Sequence, residues 1–273
     1  QDWQLFEAES YPGGLSASFE REGFTWDVGG HIWFSHYPEF WDILQKACPG
    51  LVWQQHVRRS FIRYRDRWIP YPLQHHIHLL PEPERSMCAQ SIQDALRNPP
   101  EAKAFRSYED FLKGSMGQEF AARFLIPFNS KQWAYPTSRL SAGWIRERVA
   151  LPNPDPIRKD GASGRNTPAW GPNRQFRYPA QGGTGGVWKQ FADSLPAGRI
   201  QYGRRLCAVD TKHKKLRFIE GPEIGYTNLV STLPLDQLIS LSDRDDLKPW
   251  TRSLLHSSLA VVGLGFEGAL PAE

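Results

Sequence analysis

The sequence predicts a mixed fold, α/β or α+β, with a largely helical part inserted in the middle. Three observations predict it. Short apolar segments with strand-like alternation fall towards both ends of the chain. Helical periodicity gathers in the middle, over residues 84–96, 108–127 and 139–149. Glycine- and proline-rich connections punctuate the rest, with no internal repeat and no low-complexity tract.

Taken in order, "WQLFEA" (3–8) is a short strand ending on acids, and "PGGLSAS" (12–18) is a glycine-rich turn. Residues 38–47 form a helix beginning at Pro38, a residue suited to a first turn. "RSFIRYRDRWIPYP" (59–72) alternates around Arg65-Asp66 as a β-hairpin. The central helices carry breaks at Gly114 and Gly117. Residues 151–186, rich in Pro, Gly and Asn, read as a long loop region, and such length is more often functional than accidental. A helix opens in "GGVWKQFADSL" (185–195), and "LCAVDTKHKKLRFIE" (206–220) is a hairpin with a basic turn. "YTNLVSTLPLDQLISL" (226–241) reads as a strand followed by a helix, and "LAVVGLGF" (259–266) as a strand.

Composition narrows the function. A chain of 273 residues makes one large domain or two intimate ones. Eleven tryptophans point to flat-walled pockets as well as core. A net charge of +4 lacks the dense basic face of a nucleic-acid binder, so no nucleic-acid partner is expected. No apolar run approaches the roughly 18 residues a bilayer span needs, and no signal-peptide pattern opens the chain. Cys48, Cys88 and Cys207 are widely spaced and unpaired by motif, which fits a reducing, cytoplasmic compartment. The chain starts without Met and reads as truncated at both ends.

Two glycine pairs carry the chemistry. Glu7 ends the first strand, and Gly13-Gly14 follow. An acid there can accept the ribose hydroxyls of a dinucleotide, or it can be a surface acid before a plain turn. The glycine loop that usually precedes such an acid would lie before Gln1. The second pair, Gly29-Gly30, is followed at once by His31 in "GFTWDVGGHIWFSHY". Glycine lets a flat ring approach the backbone, and the histidine can meet that ring. "HHIH" (75–78) invites a metal, but strand alternation would split its members between faces and no Cys or acid cluster joins them. No metal is expected. "GGTGG" (182–186) lacks the Lys-Ser/Thr ending of a phosphate loop and reads as the close-packed start of a helix, near the pyrophosphates.

Together with "RWIPYPLQHHIHLLP", "PFNSKQWAYPTSRLSAGWIRERVALPN", "WGPNRQFRYPAQGGTGGVW" and "LVSTLPLD", these stretches resemble the eukaryotic, fungal-type UDP-galactopyranose mutases. Those enzymes fall within the amine-oxidase-like superfamily of FAD enzymes. The resemblance implies an α/β fold: an FAD-binding Rossmann-like domain, an inserted helical domain and an antiparallel sheet domain. Residues 1–37 and 180–241 would form the FAD-binding part. Residues 38–82, 150–179 and 255–273 would form the sheet and substrate part, and 83–149 the helical substrate part.

The resemblance implies an isomerase, an intramolecular transferase that interconverts UDP-galactopyranose and UDP-galactofuranose. Catalysis would be covalent at N5 of reduced FAD, with NADPH only priming the flavin. Glu7, Gly13, Gly14, Leu15, Gly29, Gly30, His31 and Leu206 would hold the cofactor, with His31 near N5. Phe34, Tyr71, Gln74, Asn129, Trp133, Arg148 and Asn173 would hold the UDP-sugar. Arg148 would grip the diphosphate through its guanidinium fork; the alternative is a helix-surface arginine paired with Glu147. Arg58 and Ser60 would dock NADPH, or form a solvated strand face. Leu73, Ala169 and "HHIH" depart from the family pattern. The alternatives are an FAD-dependent oxidoreductase of the amine-oxidase or porphyrinogen-oxidase type, or an inactive nucleotide-sugar-binding fragment. The sequence leaves a homo-oligomer open.

Overall fold

The structure is a computed structural model that describes residues 2–99, 105–145, 149, 151 and 173–268. The chain divides into two compact units, Gln1–Gln54 with Tyr178–Glu273, and Gln55–Arg177.

In the first unit, β1 (Leu5–Phe6) pairs in parallel with β8 (Ile200–Gln201). The β2 (Ser18–Arg21) and β3 (Phe24–Asp27) strands form an antiparallel hairpin. Its turn, Glu22-Gly23, has positive φ at both residues, the turn whose twist matches paired strands. Helix α1 (Pro38–Ala47) starts with proline in its first turn, as expected. It packs Leu44, Phe40 and Trp41 with Trp33, Trp53, Val187 and Trp188 into an aromatic core. Three antiparallel strands, β9 (Leu206–Asp210), β10 (Lys215–Phe218) and β11 (Ile224–Gly225), lie in the order β11-β10-β9. They build a second core on Val209, Leu216 and Phe218.

The chain leaves this unit through β4 (Trp53–Val57) and returns through β7 (Gln175–Pro179). The second unit opens with the expected hairpin, β5 (Phe61–Tyr64) and β6 (Arg67–Pro70), with Arg65 at positive φ in its turn. Helices α2 (Glu84–Arg97) and α3 (Tyr108–Met116) follow. A short α4 (Gln118–Phe120) continues through a π-turn at Ala121–Leu125 into α5 (Ile126–Trp133). Pro127 cannot donate to the carbonyl four residues back, and the wide turn lies just before it. Ile69, Leu80, Ile92, Leu112, Met116 and Phe120 centre a single core here.

Several expectations are corrected. Helix α3 runs through Gly114 and breaks only at Gly117, where an added Cβ would sit 2.1 Å from the Ser91 carbonyl oxygen. The periodicity over 139–149 does not become a helix in its described residues. Ser141 bridges to Ser107, and its hydroxyl takes the Gly143 N–H, a local bond that competes with helix. β7 lies inside the stretch read as loop, and the next helix, α6 (Gly183–Asp193), begins two residues early. In 226–241 only the helix forms, as α7 (Leu235–Leu241). The apolar run before it finds no partner strand among the described residues, and Val230 is 91 % exposed. "LAVVGLGF" is likewise no strand. It lies flat on β3, with Gly263 against the Trp26 ring and Gly265 against Phe24. "HHIH" is not strand either: Leu73–His75 and Ile77–Leu79 are 3-10 turns, and the His76 and His78 rings lie 6.0 Å apart.

Candidate active site

The first unit gathers the residues expected to hold a cofactor. Glu7 follows β1, at the carboxyl end of a parallel strand, where nucleotide ligands bind in such sheets. Its carbonyl accepts from Arg204 N at 2.8 Å, which brings β9 and Leu206 alongside. Gly13 and Gly14 have φ of 104° and 53°, a backbone that other residues rarely adopt. Trp188 closes beneath this turn, with Cδ1 3.2 Å from where a Gly13 Cβ would stand. Leu15 points out, 80 % exposed.

The two glycine pairs meet at Ala17. Ala17 N donates to Gly14 O at 3.1 Å, and its carbonyl accepts from Val28 N at 2.9 Å. The strip after β3 therefore runs beside the first turn. Gly29 takes φ 110°, and the His31 Nδ1 lies 3.2 Å from Gly29 O. A carbonyl only accepts, so Nδ1 carries the proton of that contact. Trp33 is buried in the aromatic core, while Ile32 and Phe34 on either side stay about two-fifths exposed. A Cβ added to Gly30 meets nothing within 4 Å. The backbone there offers an open face without a side chain, and a flat ring fits it.

Asp27, Ser18, Tyr178 and Thr184 support this strip, and no motif announces them. Asp27 accepts from the Tyr178 hydroxyl at 2.7 Å and from Thr184 Oγ1 at 2.7 Å and N at 3.0 Å. Burial opposes its charge, but the hydrogen bonds from Ser18, Thr184 and Tyr178 prevail and hold the carboxyl below its usual range. The Tyr178 hydroxyl is pushed up to about 12 by burial and by Asp27. The first amides of α6 are thus spent on Asp27 and Ser18, so "GGTGG" is the close-packed start of a helix and those amides do not face a pyrophosphate. A cavity of about 410 Å³ lies beside them, lined by Tyr11, Ala17, Gly186, Lys189 and Tyr202 among others.

The second unit gathers the residues expected at the substrate. Arg58 Nη1 donates to Asn173 Oδ1 at 2.7 Å, and its guanidinium lies 4.9 Å from the centre of the Tyr71 ring. Tyr71 N donates to Ser60 O across the hairpin at 2.9 Å. The pair expected to dock NADPH is therefore joined to Tyr71 and Asn173. Gln74 is buried in the adjoining 3-10 turn. Asn129 accepts from the Tyr108 hydroxyl at 3.0 Å and donates to Leu125 O at 2.8 Å. Burial and the nearby Tyr71 push the Tyr108 hydroxyl up to about 12. Trp144 stacks its edge between Tyr108, at 5.1 Å, and Trp133, at 5.2 Å. Tyr108 and Trp144 link the expected residues Tyr71, Asn129 and Trp133 and were missed; both lie within the quoted helical segments, where an aromatic residue reads as core. Phe34 is in the first unit. Arg148 and Glu147 lie outside the described residues.

Among the described residues no group of three or more His, Cys, Asp and Glu could hold a metal. No helix among them is long and apolar enough to cross a membrane.

The fold and sequence have known counterparts. The chain is similar to reduced UDP-galactopyranose mutase, with 34 % identity and a TM-score of 0.83, over 93 % of this chain and 55 % of that one. It shares its fold with the PF1083 protein from Pyrococcus furiosus, at 15 % identity and a TM-score of 0.59, over 93 % and 59 % of the two chains. A CLA-producing fatty acid isomerase from P. acnes has the same fold at 13 % identity and a TM-score of 0.53, over 92 % and 57 %. The chain spans a little over half the length of each of these proteins. The family model described as flavin containing amine oxidoreductase matches residues 1–270. With this match, the FAD-binding fold and the paired glycine turns, the chain belongs to the flavin containing amine oxidoreductase family.

Proposed function

We propose that the protein is a flavin-dependent UDP-galactopyranose mutase, an isomerase that interconverts UDP-galactopyranose and UDP-galactofuranose. The observation that carries this reading is the 34 % identity to reduced UDP-galactopyranose mutase over 93 % of the chain. Likeness to the amine oxidases and the fatty acid isomerase is far weaker, at 12–14 % identity.

In this reading Glu7 accepts hydrogen bonds from the adenosine ribose, and Leu206 meets the adenine through its backbone. Gly13, Gly14 and Leu15 pass beside the cofactor, and Gly29, Gly30 and His31 lie against its ring. When bound, reduced FAD supplies the nucleophile for the anomeric carbon of the sugar. The chain itself binds, orients and neutralises. Tyr71 and Gln74 take the uridine end. Asn129, Trp133 and Asn173 line the rest of the nucleotide sugar, with Phe34 as a further wall. Arg148 holds the diphosphate, so that UDP stays near the sugar after it departs. His31, with its Nδ1 proton turned to Gly29 O, presents its other edge to the ring. Arg58 and Ser60 receive NADPH, which reduces the cofactor without being spent once per product. The protein works in the cytoplasm on a soluble UDP-sugar, with no nucleic-acid or membrane partner.

The test is to reduce the full-length protein with dithionite, add UDP-galactofuranose and follow conversion by chromatography. Formation of UDP-galactopyranose by reduced but not oxidised protein is the expected result. Consumption of one reductant per turnover would instead make the protein an oxidoreductase of the amine-oxidase type.

A further inference from the structure

Asp27 joins three parts of the first unit. Its Oδ1 accepts from Ser18 Oγ at 2.5 Å and from Thr184 N at 3.0 Å. Its Oδ2 accepts from the Tyr178 hydroxyl and Thr184 Oγ1, both at 2.7 Å. Its own carbonyl accepts from Gly29 N at 2.8 Å. The α6 backbone lies directly on this carboxylate. A Cβ on Gly183 would stand 2.5 Å from Asp27 Oδ1, and one on Gly185 would stand 2.2 Å from Ser18 N. A carboxylate is well suited to this place, because the first turn of a helix favours negative charge and offers unpaired amides.

The strip Gly29-Gly30-His31 starts two residues after this anchor. Two glycines in succession have wide backbone freedom, and a ligand that ordered them would lose that much binding energy. Anchoring at Asp27 removes part of the freedom before any ligand arrives. We propose that Asp27 is a positioning residue for the flavin ring, fixing the end of β3 to the start of α6 so that Gly29-Gly30-His31 is preset for the ring. This rests on the reading that the flavin lies against that strip.

The experiment uses the full-length protein with FAD as the probe, and compares the parent with Asp27→Asn and Tyr178→Phe. Asp27→Asn keeps the shape and removes the charge; Tyr178→Phe removes one of the donors. FAD affinity is read from quenching of FAD fluorescence, the ring's surroundings from the visible absorption and circular dichroism of bound flavin, and folding from apoprotein melting. Asp27→Asn is expected to weaken FAD binding by about tenfold or more and to shift the bands of the flavin that remains bound. Tyr178→Phe should weaken it by about threefold. A residue that only supports the fold would lower the melting temperature and leave those bands in place. Asp27→Asn protein with parental FAD affinity and spectrum overturns the proposal; should that variant fail to fold, the same null result in Tyr178→Phe overturns it. A parent that binds no FAD, or a Gly30→Val variant that keeps it, sinks the reading of the strip and this inference with it. A parent that binds and a Gly30→Val variant that does not leave Asp27 as the sole claim at stake.

Discussion

The guanidinium of Arg58 lies over the ring of Tyr71, 4.9 Å from its centre, while its Nη1 holds Asn173 Oδ1 at 2.7 Å. One side chain thus fixes two residues assigned to the nucleotide sugar, although it is itself assigned to NADPH. Arg58→Ala should therefore impair both ligands. Loss of a cation–π contact and a charge-assisted hydrogen bond weakens UDP binding by roughly three- to tenfold. Arg58→Lys keeps the charge and should recover part of the loss. Fluorescence polarisation with a labelled UDP, beside the rate of flavin reduction by NADPH, reads the two effects. If only the reduction rate falls, the contact to Tyr71 and Asn173 is incidental.

Gly30 and Gly183 should fail in opposite ways. Gly30→Val meets no protein atom at its Cβ, so the apoprotein should melt within a degree or two of the parent but retain no FAD. Gly183→Ala would press a Cβ onto Asp27 and hold a strained φ of 60°, a loss of about 2 kcal/mol or more. Calorimetry of the apoproteins, with flavin content measured separately, distinguishes the two. Equal melting temperatures for both variants would refute the packing argument.

Stability should fall at both ends of the pH scale. Burial lowers the His76 and His78 imidazoles below their usual 6.5, so their contribution is present above that value and is lost as pH falls through the folded-state pKa. The Tyr108 and Tyr178 hydroxyls and the Cys88 thiol are raised to about 12. Their contribution is complete below the unfolded values, 10.0 for tyrosine and 9.0 for cysteine, and is lost as pH rises towards 12. Denaturant midpoints from pH 5 to pH 11 should trace a plateau between these limits. Tyr108→Phe should also cost about 1–2 kcal/mol, by unpairing Asn129 Oδ1.

Arg148→Ala should weaken UDP binding by roughly ten- to a hundredfold, with flavin content unchanged, because a bidentate guanidinium–phosphate contact is worth about 1.5–3 kcal/mol. Arg148→Lys should restore only part of it. Parental UDP affinity in Arg148→Ala, measured on flavin-loaded protein, would return Arg148 to a surface pair with Glu147.

Local signals were legible where one short segment contains its own reason. Pro38 and the apolar spacing behind it mark α1, and Arg65-Asp66 marks the turn of the β5–β6 hairpin. The β2–β3 hairpin carried a signal that went unread, Glu22-Gly23 between two alternating runs. The glycine pairs stood out by their spacing, and Gly13, Gly14 and Gly29 take a positive φ that few other residues tolerate. Asp27 could not, since its partners Tyr178 and Thr184 lie 151 and 157 residues away and nothing in "TWDVGG" names them. "LAVVGLGF" misled for a related reason. Its alternation is that of a strand, but a strand also needs a neighbour, and the chain uses its glycines to lie on Trp26 and Phe24 instead.

The aromatic core beneath the Gly13-Gly14 turn has an optical consequence. Trp188 underlies Gly13, and Trp33, two residues past His31, lies 5.2 Å from it, with Trp53 5.4 Å beyond. Indole light emitted here starts beneath the first glycine turn, beside which the strip runs. A chromophore that absorbs in the near ultraviolet and blue, seated on that strip, would drain this emission by energy transfer. The protein therefore carries its own lamp at the place in question, and docking can be watched in unlabelled protein as a fall in brightness.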